Sequence, residues 1–340
     1  MAIDNFNATS FNRNILRTVE MMGGKMRRAC ELAKGDLYRE KGMYPRMTGG
    51  GRPTKITTRF PDSPVSEATY GNRSVTRADY HDGQFADRQD LDRMAVDPRN
   101  EKLSIMTAKF RREEDLLIQS KMLGTALGGD LGATSVTFPA GNIIDITLGA
   151  EAGYTNAGFS YQKLVKTITT FSDNGLDMEE SSNLPIIYIS GGQLNDMLNS
   201  DKFINKDYIN NSLVATGWKG IKGYMGCDWV ITNILPFASS SAGTTFNIDT
   251  DTDVVTDAEQ TAGTYKTAGV WKDTDSSDVR IAIATTKGAT LFEVKPEIIT
   301  DVYKRGDKSQ RWYAYMEMGF GAVRMEEEKV IAIPCDQSPA

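Results

Sequence analysis

The chain has 340 residues, 40 % of them hydrophobic and 25 % charged, a composition that excludes wholesale disorder and gives room for about two domains or one elaborated core. Its charge is split: residues 1–125 hold 22 Lys and Arg against 17 Asp and Glu, and the remainder 17 against 28, for a net −6. An acidic chain of this kind lacks the basic domain that DNA binding requires, whereas opposite-sign contacts between copies fit it.

The start, Met1 to Ser10, lacks the layout of a secretory signal, and no stretch approaches the roughly 18 apolar residues that span a bilayer. The expectation is a chain that stays in the cytoplasm with no membrane contact. Cys30, Cys227 and Cys335 are odd in number and far apart, which favours buried free thiols over disulfides or zinc.

In chain order, Ile15, Leu16, Val19, Met22, Met26, Ala29 and Leu32 are spaced for an amphipathic helix within 5–35, broken near Gly23-Gly24. It reads as a docking arm or a surface helix. Gly42 to Gly51, with Pro45, signals a loop. Pro53 to Phe60 and Arg73 to Tyr80 alternate as strands on either side of the break Pro61-Asp62-Ser63-Pro64. Such a two-stranded arm is poor in apolar side chains and needs another surface to lie on, or else stands as a solvated hairpin.

Asp82, Asp87, Asp90, Asp92 and Asp97 follow. Their context is turn capping and pairing with arginines rather than a metal, and Asp97-Pro98 makes a good helix start. The helix should run from about 98 to 126, exceeding 40 Å at about 1.5 Å per residue, with Leu103, Met106, Phe110, Leu117 and Leu123 inward. Lys109, Arg111, Arg112, Glu113, Glu114 and Asp115 read as its solvated face. Gly124, Gly128 and Gly129 mark its end.

Ser135 to Gly149 reads as β, Tyr161 to Phe171 as a helix stopped by Asn174-Gly175, and Pro185 to Ser190 as a buried strand. Short helices are predicted at 193–199 and 206–216, and a strand over Trp229 to Leu235. The Ser/Thr/Asp-rich stretch 238–278 looks like a surface insertion. Its Asp249, Asp251, Asp253 and Asp257 imitate a calcium loop, but Val254 and Gln260 stand where the turn glycine and the bidentate Glu belong. Strands are predicted at 280–286, 289–294, 298–304, 311–318 and 322–333, closing an antiparallel sheet.

No catalytic, cofactor or metal motif emerges. His81 has no patterned Ser or Cys partner, and Gly49 to Lys55 lacks phosphate-loop spacing. Glu179-Glu180 and Glu326-Glu327-Glu328 are adjacent acids of the sort that repel or find basic partners.

The order of these landmarks resembles one group of tailed-phage major capsid proteins. It is carried by Leu91 to Pro98 ahead of a long helix closing on Gly124-Thr125-Ala126, by Ile187-Tyr188-Ile189-Ser190 before Gln193-Leu194, by Gly223 to Asp228, and by Met318-Gly319-Phe320-Gly321-Ala322-Val323-Arg324. The resemblance implies an α+β chain of the Hong Kong 97-type fold, with a long spine helix, an extended β-hairpin arm and an axial α/β domain. It assigns 1–40 to an N-terminal arm, 41–90 to the extended loop, and 91–149 to the peripheral domain with the spine. It gives 150–280 to the axial domain with the 238–278 insertion, and 281–340 to strands completing both.

The function so implied is self-assembly through hexamers and pentamers into an icosahedral head. That head would enclose double-stranded DNA without sequence-specific binding, and scaffold, portal and decoration proteins are the further partners. The protein would reside in the virion, after assembly in the host cytoplasm. Lys55, Arg59, Arg73 and Arg77 would make the inter-subunit arm contacts, against acids among Glu113, Glu114, Glu179, Glu180, Glu326, Glu327 and Glu328. The alternatives are an encapsulin-like compartment and, in a different class, a cytosolic α/β enzyme with an unrecognised site.

Overall fold

The computed structural model describes residues 24–33, 41–48, 53, 55–59, 62, 69–86, 99–129, 132–150, 156–180, 183–200, 223–236, 238, 265–266, 270–271, 279–294 and 298–336. Helix 206–216, the Asp97-Pro98 start, Asp87, Asp90 and Asp92, and the calcium-like run 249–257 lie outside them.

The middle of the molecule is a four-stranded sheet, ordered β15 (Val330–Asp336), β11 (Val279–Thr285), β7 (Ile186–Ile189) and β8 (Asp228–Ile231). Strands β7 and β11 are buried along their whole length, as expected of apolar runs covered on both faces. Alternate residues serve two different cores. Val279, Ile281 and Ile283 of β11 join one, and Ala282 and Ala284 the other, because successive side chains of a strand point to opposite faces.

The second core is roofed by two helices, α2 (Tyr161–Asp173) and α3 (Gly191–Asn199), through Leu164, Phe171 and Met197. Ser160 caps α2 by accepting from the Lys163 N–H, and Ser190 with Gln193 forms a reciprocal capping box on α3. Gly175, at φ +82°, stops α2 where the sequence predicts it.

Across the sheet lies the spine helix α1 (Arg99–Leu123), 25 residues and roughly 37 Å long. Its Met106, Phe110, Ile118, Met122 and Leu123 enter the first core, with Leu103 and Leu117 packed against it. The helix ends three residues earlier than predicted because the chain turns at Gly124 into β5 (Ala126–Gly128).

A second sheet backs α1 from the other side. It is built on the fourteen-residue β14 (Arg311–Arg324), which pairs antiparallel with β12 (Thr290–Val294) and β13 (Ile299–Arg305) along one side and with β4 (Ala78–Ala86) along the other. Strand β1 (Cys30–Leu32) adds in parallel to β12. The predicted strand 322–333 is thus two strands, the end of β14 and the start of β15, separated by a 3₁₀ turn at Glu327–Lys329.

Three further predictions need correction. The described part of 5–35 is a 3₁₀ turn at Met26–Ala29 followed by β1, not an α-helix, because α1 and β12 capture its backbone. Of 135–149, only Ser135 and Val136, the end of β6 (Thr134–Val136), are strand before Pro139 breaks it. The 229–235 strand stops at Ile231, after which Ile234 and Leu235 are buried in irregular backbone. In the insertion, Tyr265–Lys266 (β9) pairs with Val270–Trp271 (β10).

Candidate functional site: the hairpin arm and its seat

The arm is a hairpin of β2 (Lys41–Thr48) and β3 (Thr69–Thr76), paired from Lys41↔Thr76 to Thr48↔Thr69. Residues 42–48, predicted as loop, are one of its strands. Pro45 is tolerated there because β2 is an edge strand that can dispense with one N–H. The predicted strand 53–60 is not one: residues 55–59 pair with nothing regular and are all exposed, Ile56 by 74 %. Tyr70, the second residue of β3, is 78 % exposed.

The root of the arm is fixed to its own chain. Arg73 donates from Nη2 to Glu327 Oε1 at 2.7 Å, and Arg46 donates from Nη1 to Glu327 Oε2 at 2.9 Å, with Glu328 3.5 Å from Arg46 Nη2. One carboxylate therefore grips one cation from each strand of the hairpin, and both partners are largely removed from water, where charge-assisted bonds are strongest. Beside it, Val75 packs with Ala126, Leu291 and Val323, and the Tyr44 hydroxyl donates to buried Glu293 at 3.0 Å.

The Glu327 clamp is pH-dependent. Burial pushes its carboxyl up, but the Arg46 bond and the Arg73 charge outweigh burial and hold it below its ordinary value of 4.5. A carboxylate depressed in the folded state contributes stability above its unfolded value, and that contribution is lost as pH falls through the folded value. The difference in thermal stability between the wild type and Glu327→Gln at pH 7 should therefore close as pH drops below 4.5. A gap that stays constant into acid would contradict the clamp.

The predicted arm cations separate into two groups. Lys55 and Arg59 are exposed in the tip. Arg73 is committed to Glu327, and Arg77 lies against Asp79 at 3.1 Å. Among the acids, Glu326 pairs with Lys329 at 3.0 Å and Glu114 is buried 3.7 Å from Arg27. Glu180 accepts from Asn183, and Glu179 is exposed on the same turn. Half-buried Glu113 has its carboxyl raised by burial.

Sequence reasoning missed three residues that hold the arm and spine in place. Arg46 was hidden in an apparent loop. Asp115, taken for part of a solvated face, is fully buried and accepts the N–H groups of Gly24, Lys25 and Met26 at 2.8, 3.1 and 2.9 Å. Arg324, the last residue of the 318–324 landmark, is fully buried and donates to the carbonyls of Met122, Gly124 and Val136. It thereby gives a donor to the Met122 carbonyl in the spine's last turn, which has no partner within the helix, and ties that end to Gly124 and to β6.

No three His, Cys, Asp or Glu side chains gather to hold a metal among the described residues. His81 is exposed on β4 opposite Glu317. All three cysteines are buried and unpaired, and burial pushes Cys227 to about 11 and Cys335 to about 12, so neither is a nucleophile at neutral pH. No helix among the described residues is long and apolar enough to cross a membrane.

The site is thus a spine helix between two sheets, with an arm rooted in the body and exposed at its described tip. Solved structures share this fold over nearly their whole length. The capsid of the cyanophage P-SCSP1u matches with TM-score 0.68 and 12 % identity, covering 98 % of this chain and 94 % of that one. The capsid of Helicobacter pylori bacteriophage KHP30 matches at 0.64 and 11 %, covering 97 % and 96 %. The capsid of Ralstonia phage GP4 matches at 0.63 and 11 %, covering 98 % and 97 %. No curated protein matches the chain. The family model for phage capsid protein matches residues 3–337, and the chain belongs to that family. It is a major capsid protein of the Hong Kong 97-type fold, a structural protein of the virion that forms shells from many copies and is not an enzyme.

Proposed function

We propose that copies of this chain assemble as hexamers and pentamers into an icosahedral tailed-phage head around double-stranded DNA, each copy laying its arm tip over a neighbour. One observation carries the reading: the hairpin is clamped to its own body at Glu327 while every described residue of its tip, including Ile56, Lys55 and Arg59, faces water. Strands β2 and β3 are held in a four-stranded sheet with β5 and β6, whereas the described tip residues 55–59 pair with no strand and gain nothing from that sheet. A neighbouring copy supplies the missing surface.

Each exposed ion pair gives only about 0–1 kcal/mol. Stability of the shell then comes from repetition and from burying Ile56-like apolar area, while weak single contacts let misplaced copies leave. An acidic chain also avoids gripping packaged DNA, since affinity grows with each phosphate neutralised. Scaffold, portal and decoration proteins complete such a head.

The test is Ile56→Asp combined with Arg59→Glu. Both residues are exposed, so the subunit should fold with its unfolding midpoint almost unchanged, while shells seen by electron microscopy should fall at least tenfold. Normal particles would remove the arm from assembly. Wild-type particles lacking nucleic acid and loaded instead with cargo enzymes would overturn the genome-container reading.

A further inference from the structure

Beyond the arm, the structure holds a second feature that is incomplete in one copy. Strand β13 forms the rim of the second sheet: it pairs with β14 over seven residues, Ile299↔Glu317 to Arg305↔Arg311, and among the described residues no strand covers its other side. Alternate residues of such a rim present backbone N–H and C=O groups outward, a template for another strand. The strand also carries three exposed large apolar side chains, Ile299 at 49 %, Val302 at 42 % and Tyr303 at 41 %.

Folded proteins normally guard a rim of this kind with proline, a bulge or outward-reaching charges. Among the described residues, neither a proline nor a bulge guards this one, and its single acid, the exposed Asp301, is the one charge not turned back onto the sheet. The ladder runs from 299 to 305 without a bulge or a proline. The cations that would shield it are drawn back onto the sheet: Lys304 Nζ lies 4.8 Å from the Trp312 ring centroid, and Arg305 bonds Asp307 at 2.6 Å while lying over Phe85 and Tyr313. Tyr313 in turn closes over Gly83 on β4, where a Cβ would collide with its ring. The aromatic row is therefore a rigid platform that ends at an open strand.

We propose that this rim is completed by the same strand of a second copy, paired antiparallel about a two-fold axis through Val302. The charge pattern selects that partner. Antiparallel self-pairing sets Ile299 against Arg305, Thr300 against Lys304 and Asp301 against Tyr303, so no like charges are directly opposed, and Val302 meets Val302 at the axis. In-register parallel pairing would stack Lys304 on Lys304, Arg305 on Arg305 and Asp301 on Asp301, which is repulsive. The contact is isologous, as a two-fold requires. It joins two subunits by backbone hydrogen bonds rather than by the arm, and it rests on the reading that copies of this chain assemble.

The experiment is Val302→Cys, oxidised with diamide and run on a non-reducing denaturing gel. Cys30, Cys227 and Cys335 are buried, so the wild type serves as the control. Self-pairing predicts that most of the protein in particles becomes a covalent dimer linked at position 302 by peptide mapping, while Thr300→Cys alone gives little dimer. Intact particles with only monomer would overturn the pairing and leave the shell function standing, as would a bond from the introduced thiol to a different polypeptide. Where the variant forms no particles although the wild type does, the same gel on the concentrated soluble variant decides: dimer through the introduced thiol supports the rim contact and monomer rejects it.

Discussion

Replacing Asp115 by Ala should lower the subunit's unfolding free energy by about 3–5 kcal/mol and expose residues 24–33 to proteolysis. The 3₁₀ turn at Met26–Ala29 has no capping side chain of its own at Lys25. Its cap comes from the spine helix, far along the chain, as the Asp115 carboxylate receives three successive backbone N–H groups. Each hydrogen bond to a charged acceptor is worth about 1.5–3 kcal/mol, and each donor left without a partner costs a further desolvation penalty of about 1–3 kcal/mol, though the sum is less than additive. Burial pushes the carboxyl up while the three N–H bonds pull it down. Asn should retain part of the effect, since its amide offers one acceptor oxygen where the carboxylate offers two. Denaturant titration with limited proteolysis checks this: a variant with the wild-type midpoint and an intact N-terminal segment would show that the cap is idle.

Arg324→Met should cost about 3 kcal/mol or more and loosen the arm root in the same step. The guanidinium is fully buried, and it donates at 2.8 and 2.6 Å to carbonyls at the end of the spine, Met122 and Gly124, and at 3.2 Å to Val136. It also lies 3.8 Å from Glu327 and 5.2 Å from the Phe138 ring centroid. Burial lowers its pKa to about 10, so it remains a cation at neutral pH. Removing it leaves carbonyls without donors and takes one positive charge from beside Glu327, and breaking a buried ionic contact of this kind is strongly destabilising. Unfolding midpoints, together with the cleavage rate in the hairpin, measure both consequences. Unchanged arm cleavage would uncouple Arg324 from the clamp.

The elements that local pattern can specify were readable in the sequence. The spine helix, α2 with its Asn174-Gly175 stop and the apolar Ile-Ile-Tyr-Ile strand all come from periodicity and capping chemistry, and the structure has them. What local pattern cannot specify is the partner. The 53–60 alternation looks like a strand, yet none of its described residues pairs with another strand; 42–48 looks like a loop because of Gly42 and Pro45, yet β3 recruits it as an edge. Asp115 and Glu114 sit in a charged run that reads as wet, yet they are buried, with residues 24–27 returning against them. Glu327 could be picked out as an acid, but its grip on Arg46 and Arg73 spans 281 and 254 positions.

The turn after β14 has a mechanical meaning. Glu327 holds the root of the arm, and Arg324, three positions before it, holds the last carbonyls of the spine. On the proposed arrangement, tension from a neighbour would enter the body at Glu327, at the Tyr44–Glu293 bond and at the β3–β5 pairing, and through Glu327 would reach the end of a rod about 37 Å long within a single short turn. A container inflated from within would thus carry its hoop stress from tile to tile along helices rather than through loops.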